Sequence, residues 1–183
     1  KKLISALLIL TVTLGIIYIG SLSLLRLLYP LEYEEYVEVY AAENNLSPSL
    51  VYAVIKCESG FDNEAVSNVG ATGLMQIMPD TFDWIKTKTD YTEDYAEATD
   101  PETSIKFGCF LYSYLMQKYG RVQEALAAYH AGTGNVAKWL KDDRYSDDGK
   151  TLHTIPFPTT SKYVKKVMQT ENIYQKLYFR KES

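Results

Sequence analysis

The stretch from Ser47 to Gly60, SPSLVYAVIKCESG, decides the fold of this chain. Serine followed by proline is a standard helix start, because serine caps the first N–H groups and proline fits the first helical position. Four residues then recur at the spacing of one helix face: Val51, Val54, Ile55 and Glu58. The stretch therefore predicts a helix that runs to about Glu58, stops at Gly60 and turns its apolar face inward.

Glu58 is the only polar member of that face, so we expect its carboxyl group at the border between core and solvent. Removal from water disfavours the charged form of a carboxyl group and raises its pKa. A general acid that works near neutral pH needs such a raised pKa. The spacing alone also fits a glutamate that is simply solvated at the end of a helix.

The chain beyond Pro30 shows further helical signals and no convincing alternation of a strand. Asp100-Pro101 repeats the capping pattern and opens a long predicted helix, which Gly120 closes. Residues 122–131 are apolar on nearly all sides, as expected of a central helix. Four further helices are predicted: 33–43, 80–86 (capped by Asp80), 135–141 and one from Thr159 or Thr160 onward. Residues 74–78 are predicted to form a helical turn. Loops are predicted at 61–73 and 142–158. The sequence predicts an all-α domain.

Residues 3–25, LISALLILTVTLGIIYIGSLSLL, contain no charged side chain. A run of that length can cross a bilayer as a helix, and no cleavage site of small residues follows it. Lys1 and Lys2 precede the run, so the positive-inside rule places the N-terminus in the cytoplasm. We expect a single-pass cell-membrane anchor over residues 1–30 and an extracytoplasmic domain over residues 31–183. A buried core helix and a signal peptide are the alternatives.

All 23 acidic residues but only 16 of the 19 basic residues lie beyond Pro30, which leaves residues 31–183 with a net charge near −7. No basic stripe is visible, and this argues against a nucleic-acid partner. Cys57 and Cys109 lack the partner histidines of a zinc site, so we expect no metal. In an oxidising exterior the two cysteines could form a disulfide if their helices touch, a question that the sequence leaves open.

Three motifs follow one another along the chain: Glu58-Ser59-Gly60-Phe61, Gly73-Leu74-Met75-Gln76-Ile77-Met78-Pro79 and Ala128-Tyr129-His130-Ala131-Gly132. Together they resemble the lysozyme-like domain of the soluble lytic transglycosylases, which cleave peptidoglycan. The similarity covers about residues 36–174. It implies a helical fold of the goose-type lysozyme class and an enzyme that acts on the glycan strands of the bacterial cell wall.

The resemblance also assigns roles to individual residues. Glu58 matches the single catalytic acid/base of the family. The substrate-binding positions that the resemblance implies are Ser59, Met75, Gln76, Tyr129, His130 and Tyr163. Two of the matches depart from the family pattern, because His130 stands where an asparagine is usual and Thr159 where a glutamate is usual.

The turn at 74–78 has its own pattern. Leu74, Ile77 and Met78 share one face of a helical turn, so packing them inward would direct Met75 and Gln76 toward a cleft. Without the motif, Met75 would be read as ordinary core filler.

Aromatic residues are frequent in this chain, and the tyrosines alone number 16. Tyrosine is common on sugar-binding surfaces, but amphipathic packing at half-buried positions is the better explanation for most of these residues. For Tyr129 the sequence leaves core packing and cleft lining open. For Trp84 and Trp139 we expect core packing.

Most glycosidases use two carboxylates, and no second one stands out in this sequence. The family resemblance implies instead that Glu58 acts twice. It would protonate the oxygen that bridges N-acetylmuramic acid and N-acetylglucosamine, while the muramic N-acetyl group stabilises the developing positive charge. The anionic Glu58 would then take a proton from the O6 hydroxyl, which closes a 1,6-anhydro ring. No cofactor is implied.

Two other functions remain open at this point. A hydrolase related to goose-type lysozyme would use the same Glu58 with water and release a free reducing sugar. A degenerate wall-binding or scaffold protein would bind glycan and release nothing. The expected partners are peptidoglycan glycan strands and the membrane, and a cell-envelope protein complex is a further possibility.

Overall fold

Eight α-helices form the fold over residues 2–179, the part of the chain that the structure, a computed structural model, describes. Their bounds are α1 Lys2–Leu28, α2 Glu34–Glu43, α3 Pro48–Glu58, α4 Pro79–Lys86, α5 Pro101–Tyr119, α6 Val122–Ala131, α7 Thr133–Trp139 and α8 Pro158–Tyr178. The β-contacts in this range are isolated bridges of Thr72 with Val66 and Ile77. The predicted all-α fold is confirmed.

The chain divides into two units, Lys1–Glu32 and Tyr33–Ser183. The first unit consists mainly of α1, whose segment Leu7–Leu28 is long and apolar enough to cross a membrane. None of that segment is buried by the rest of the structure. These properties fit both a membrane anchor and a signal sequence.

Two helices of the second unit begin as their capping patterns predict. The Ser47 side chain accepts a 3.3 Å hydrogen bond from the Leu50 N–H at the start of α3. The Asp100 side chain accepts a 2.9 Å bond from the Thr103 N–H at the start of α5. Each bond satisfies an N–H group that has no partner within its own helix. Both predicted helix starts are confirmed.

Three other helices begin earlier than predicted. The first residue of α4 is Pro79, so the expectation of a cap at Asp80 is wrong. Helix α8 likewise begins with Pro158. Proline is well suited to a first helical position, because the N–H that it lacks would have no partner there. Helix α7 begins at Thr133, immediately after the glycine that ends α6, rather than at residue 135.

The segment 74–78 is a tight turn and not the helical turn that the sequence predicts. Gly73 and Gln76 have φ angles of +81° and +49°, which a right-handed helix does not allow. Thr72 and Ile77 form an isolated bridge across the turn, and each N–H donates to the other residue's carbonyl. Side chains of the turn are therefore distributed differently from those of a helix.

An unpredicted 3-10 helix, Tyr95–Thr99, fastens this turn to the rest of the domain. The Tyr95 hydroxyl lies within hydrogen-bond distance of the carbonyl oxygens of Gly70, at 2.6 Å, and Ile77, at 2.9 Å, which share its single proton. One side chain thus holds both ends of the turn.

Helix α3 lies in the core of the second unit. Its residues 49–55 are all buried, and it packs chiefly against α8. Tyr52 of α3 stacks on Tyr174 of α8 with ring centroids 5.4 Å apart. Helix α6 is buried over residues 124–128, as expected of a central helix. Because most of α3 is buried, its C-terminal end has a fixed position in the domain.

Packing around Met75 leads to a first prediction. A methyl group added at Gly108 of α5 would meet the Met75 side chain at 2.2 Å from Sδ and 2.8 Å from Cβ. We expect Gly108→Ala to lower the free energy of unfolding by about 1–3 kcal/mol, because it overpacks the core. Denaturant unfolding followed by circular dichroism measures the change.

Gly134→Ala is the matched control for this variant. Gly134 lies within α7, and a methyl group there would meet nothing within 4 Å. Alanine favours a helix over glycine by about 1 kcal/mol, so this variant should be as stable as the wild type or more stable. A Gly108→Ala protein with unchanged stability would contradict the tight contact with Met75.

Candidate active site

Glu58 is the last residue of α3, and its side chain is half-buried. Ser59 follows as the C-cap, and Gly60 then takes a φ of +65°, which glycine adopts without strain. The predictions that this helix ends here and turns its apolar face inward are both confirmed. The carboxyl group is therefore attached to a buried helix, and Glu58 is not a solvated glutamate at a frayed helix end.

Burial raises the pKa of Glu58 from 4.5 to about 7. Two groups of α8 oppose this rise by favouring the carboxylate: the hydroxyl of Tyr163 and the ammonium group of Lys166. Lys166 also donates a 3.4 Å hydrogen bond from Nζ to the carbonyl oxygen of Cys57. Desolvation outweighs both, so the pKa of the carboxyl group remains raised.

Tyr163 is only 8 % exposed, and its hydroxyl faces Glu58. The hydroxyl is close enough to favour the carboxylate, but the geometry falls short of a full hydrogen bond. The ring of His130 packs on the Tyr163 ring, with centroids 4.6 Å apart and planes inclined by 33°. His130 Nδ1 lies 3.0 Å from Oγ1 of Thr160, one turn earlier on α8. The last helix thus supplies one side of the site.

Tyr129 of α6 supplies another side. Its hydroxyl donates a 2.7 Å hydrogen bond to the carbonyl oxygen of Met75. Burial raises the pKa of Tyr129 well above its usual value, and the nearby charge of Glu58 raises it further. Tyr129 therefore links the surroundings of Glu58 to the turn at 73–76.

The structure corrects the expectation for Met75. Its side chain is 1 % exposed and packs against Gly108, so it cannot point into a cleft. Met78, which the helical reading turned inward, is 38 % exposed. The two methionines exchange places because the positive φ angles at Gly73 and Gln76 make a tight turn in place of a helical one.

Gln76 and Ser59 make bonds to the backbone of their own loops. Gln76 Nε2 donates to the carbonyl oxygens of Ala65, at 2.9 Å, and Gly73, at 3.0 Å. The Ser59 hydroxyl donates to a carbonyl of α3 at 3.3 Å and accepts from the Phe61 N–H at 3.2 Å. Both side chains therefore shape the loops next to Glu58, whatever contact they make with a ligand.

A cleft of about 360 Å³ opens beside Tyr129. Its lining residues come from α4, α5 and the α6–α7 junction: Asp80, Thr81, Trp84, Leu111, Tyr114, Leu115, Lys118, Ala128, Tyr129, Gly132 and Thr133. Glu58 is not among them, but Tyr129, which lines the cleft, is close enough to Glu58 for the two groups to interact electrostatically. Aromatic faces mixed with hydroxyl and charged groups suit a sugar chain.

Sequence reasoning missed this cleft. Trp84 and Tyr114 meet edge to face, with ring centroids 4.8 Å apart, and both line the cleft. The expectation that Trp84 packs in the core is therefore wrong, whereas Trp139 is 6 % exposed as expected. The amphipathic pattern of α4 could have indicated this position. Phe82 and Ile85 form the buried face of this short helix, and Trp84 is not part of that face.

The two cysteines are free, so the disulfide that the sequence left open is absent from the structure. Cys57 turns toward α8, where its Sγ lies 3.7 Å from Thr170 Oγ1. Cys109 is fully buried in α5. Over residues 2–179, no group of three or more histidine, cysteine, aspartate or glutamate side chains is arranged to hold a metal ion.

Residues 35–152 match the model of the family "Transglycosylase SLT domain". The soluble lytic murein transglycosylase of Salmonella typhimurium is 34 % identical over 160 residues, which cover 85 % of this chain and 25 % of that protein. The transglycosylase of Enterobacteria phage PRD1 is 38 % identical over 125 residues, covering 68 % of this chain and 43 % of the phage protein.

A solved structure gives the same picture. The lytic transglycosylase Slt of Pseudomonas aeruginosa, solved as an inactive glutamate-to-glutamine mutant, superposes with a TM-score of 0.74 at 32 % identity. The match covers 83 % of this chain and 25 % of that one. The chain thus spans about a quarter of the length of the bacterial relatives named above. On the sequence match and the shared lysozyme-like fold together, the chain belongs to the transglycosylase SLT domain family.

Proposed function

We propose that this chain is a lytic transglycosylase that cuts the glycan strands of peptidoglycan, with Glu58 as its acid/base catalyst. The observation that carries the proposal is the half-buried carboxyl group at the end of α3, whose pKa burial raises to about 7. A group with that pKa can give up a proton near neutral pH and later take one back. Membership of the SLT family supplies the substrate class.

In the first step Glu58 donates its proton to the oxygen that bridges N-acetylmuramic acid and N-acetylglucosamine, and the bond from that oxygen to muramic C1 breaks. The muramic N-acetyl group stabilises the positive charge at C1. In the second step the Glu58 carboxylate removes the proton of the muramic O6 hydroxyl, and O6 bonds to C1. The product is a 1,6-anhydro sugar, and no water is consumed.

The surroundings of Glu58 support a mechanism with one carboxyl group. A conventional glycosidase would place a second carboxylate near the first, and the pair would raise each other's pKa. In the described part of the chain, the charged or polar side chains that act on the pKa of Glu58 are Tyr163 and Lys166, and neither is a carboxylate. A relative inactivated by one glutamate-to-glutamine replacement is consistent with this.

The two α8 groups suit the second half of the reaction. After Glu58 has donated its proton, the carboxylate remains in a partly desolvated position. The Tyr163 hydroxyl and the Lys166 ammonium group stabilise that charge. They keep the pKa near 7, so the same carboxyl group can act first as acid and then as base.

The cleft beside Tyr129 would hold the glycan strand, because it lies next to the neighbourhood of Glu58 and is lined by the half-buried rings of Trp84 and Tyr114. Helix α1 would anchor the enzyme as a single membrane pass with the catalytic unit outside the cell. The wall substrate lies outside the membrane, so this orientation brings enzyme and substrate together.

Digestion of purified peptidoglycan by the full chain in detergent, followed by mass spectrometry, tests the proposal. We expect 1,6-anhydro-muropeptides from the wild type and a loss of at least about a thousandfold in rate for Glu58→Gln, because the amide cannot exchange the proton. Glu64→Gln, an exposed carboxylate in the loop that follows, should retain wild-type activity.

The products also separate the alternatives. Free reducing ends would identify a hydrolase that uses the same glutamate. Binding of glycan without any product would identify a wall-binding protein. Equal product from wild type and Glu58→Gln would sink the catalytic assignment.

The pH dependence of kcat/KM should report the raised pKa of Glu58. The acid must be protonated to react, so activity should fall tenfold per pH unit above about pH 7. Lys166 lowers the pKa of Glu58, and Lys166→Met should therefore move this fall to higher pH. Lys165→Met is the matched control, because Lys165 lines a different cleft and should leave the profile in place.

A stability measurement tests the same pKa without turnover. Because the folded pKa of Glu58 exceeds its ordinary 4.5, ionising this group costs folding free energy, and the cost is fully present only above pH 7. We expect Glu58→Gln to be more stable than the wild type at pH 8, by up to roughly 3 kcal/mol. The gain should vanish below pH 4.5, and a gain that does not depend on pH would contradict the raised pKa.

A further inference from the structure

His130 occupies a position from which it can act on Glu58 without touching it. It lies near the C-terminal end of α6, with part of its ring open to solvent. Its Nδ1 lies 3.0 Å from Thr160 Oγ1, and its ring packs on Tyr163 at 4.6 Å. Thr160 and Tyr163 lie one turn apart on α8, and their side chains are 1 % and 8 % exposed. One side chain of α6 thus engages two buried positions of the helix that faces Glu58.

The contact matters because no well-formed hydrogen bond fixes the position of the Tyr163 hydroxyl. That hydroxyl is buried and has no well-formed hydrogen bond, although it faces the Glu58 carboxyl group. An oxygen in this state stabilises the carboxylate only if the ring stays in place. The His130 ring covers one side of the Tyr163 ring, and its bond to Thr160 fixes its own orientation.

We propose that His130 is a positioning residue, which holds the Tyr163 hydroxyl against Glu58 and so sets how readily Glu58 gives up and regains its proton. The proposal rests on the proposed function of Glu58. Burial lowers the pKa of His130, so the ring is neutral near pH 7 and adds no charge of its own. It therefore acts through geometry.

Few other groups bear on the Glu58 carboxyl. Lys166 of α8 favours its charged form, and within residues 2–179 the other titratable groups that interact with it are Tyr129 of α6 and Cys57 of α3. The pKa of both the Tyr129 hydroxyl and the Cys57 thiol is raised by burial, so each is neutral near pH 7. The contribution of Tyr163 can therefore be isolated by removing it while Lys166 is left in place.

The test is a carboxyl carbon-13 NMR titration of Glu58 in the full chain in detergent micelles, which does not depend on activity. Tyr163→Phe should raise the pKa of Glu58 by roughly 0.5 unit or more, because it removes a group that favours the carboxylate. His130→Ala should raise it in the same direction. In the Tyr163→Phe background, His130→Ala should add no further shift.

Two further variants keep the test decisive. Thr160→Val preserves the buried volume but removes the partner of His130 Nδ1, so it should raise the pKa of Glu58 by part of the His130→Ala effect. This variant keeps the proposal testable if His130→Ala folds poorly. His153→Ala changes the chain's other histidine, which pairs with Asp147 on an exposed loop, and should cause no shift.

The outcomes point in different directions. If His130 only shielded Glu58 from water, His130→Ala would hydrate the carboxyl group and lower its pKa, which would overturn the proposal. An unchanged pKa, or a His130→Ala shift that persists without the Tyr163 hydroxyl, would overturn it as well. If the chain released no muropeptides but these shifts appeared, the function of Glu58 would fail while the positioning by His130 would stand.

Discussion

Keeping a carboxyl group partly out of water costs folding free energy, and that constraint organises this domain. The carboxyl group must be attached to a rigid element, because a flexible chain end would let it return to solvent. Helix α3 provides the support, since its residues 49–55 are buried and α8 packs along it. Lys166 and Tyr163 then limit the cost by favouring the ionised form. The site sets desolvation against two nearby groups, and desolvation wins, so the pKa of Glu58 stays above its ordinary value.

Much of the fold could be predicted because its signals are local. The Ser47 and Asp100 caps, the apolar face of α3 and the glycine stop after Glu58 each depend on a few neighbouring residues, and the structure bears them out. The raised pKa of Glu58 also followed from its place on that face. These features can be predicted without knowing which helices pack against each other.

The failures concern facts that only tertiary structure decides. Met75 and Met78 were assigned to the wrong sides because the turn needs a left-handed backbone angle at Gln76 as well as at Gly73, and a glutamine does not indicate such an angle. The partner of Cys57 is Thr170 on α8, a contact over more than a hundred residues. The roles of Lys166 and His130 depend on the same docking of α8 and could not be read from helix periodicity.

The place of α8 in the chain has a consequence for the timing of activity. Tyr163 and Lys166 come about a hundred residues after Glu58, so a nascent polypeptide contains α3 before it contains α8. In such a chain Glu58 would be fully hydrated, ionised at neutral pH and unable to act as a proton donor. The raised pKa of Glu58, and with it the catalysis proposed above, would therefore arise only once α8 has been made and has docked on α3. A single proteolytic cut in the 142–157 connection, followed by loss of the C-terminal fragment, would remove it again.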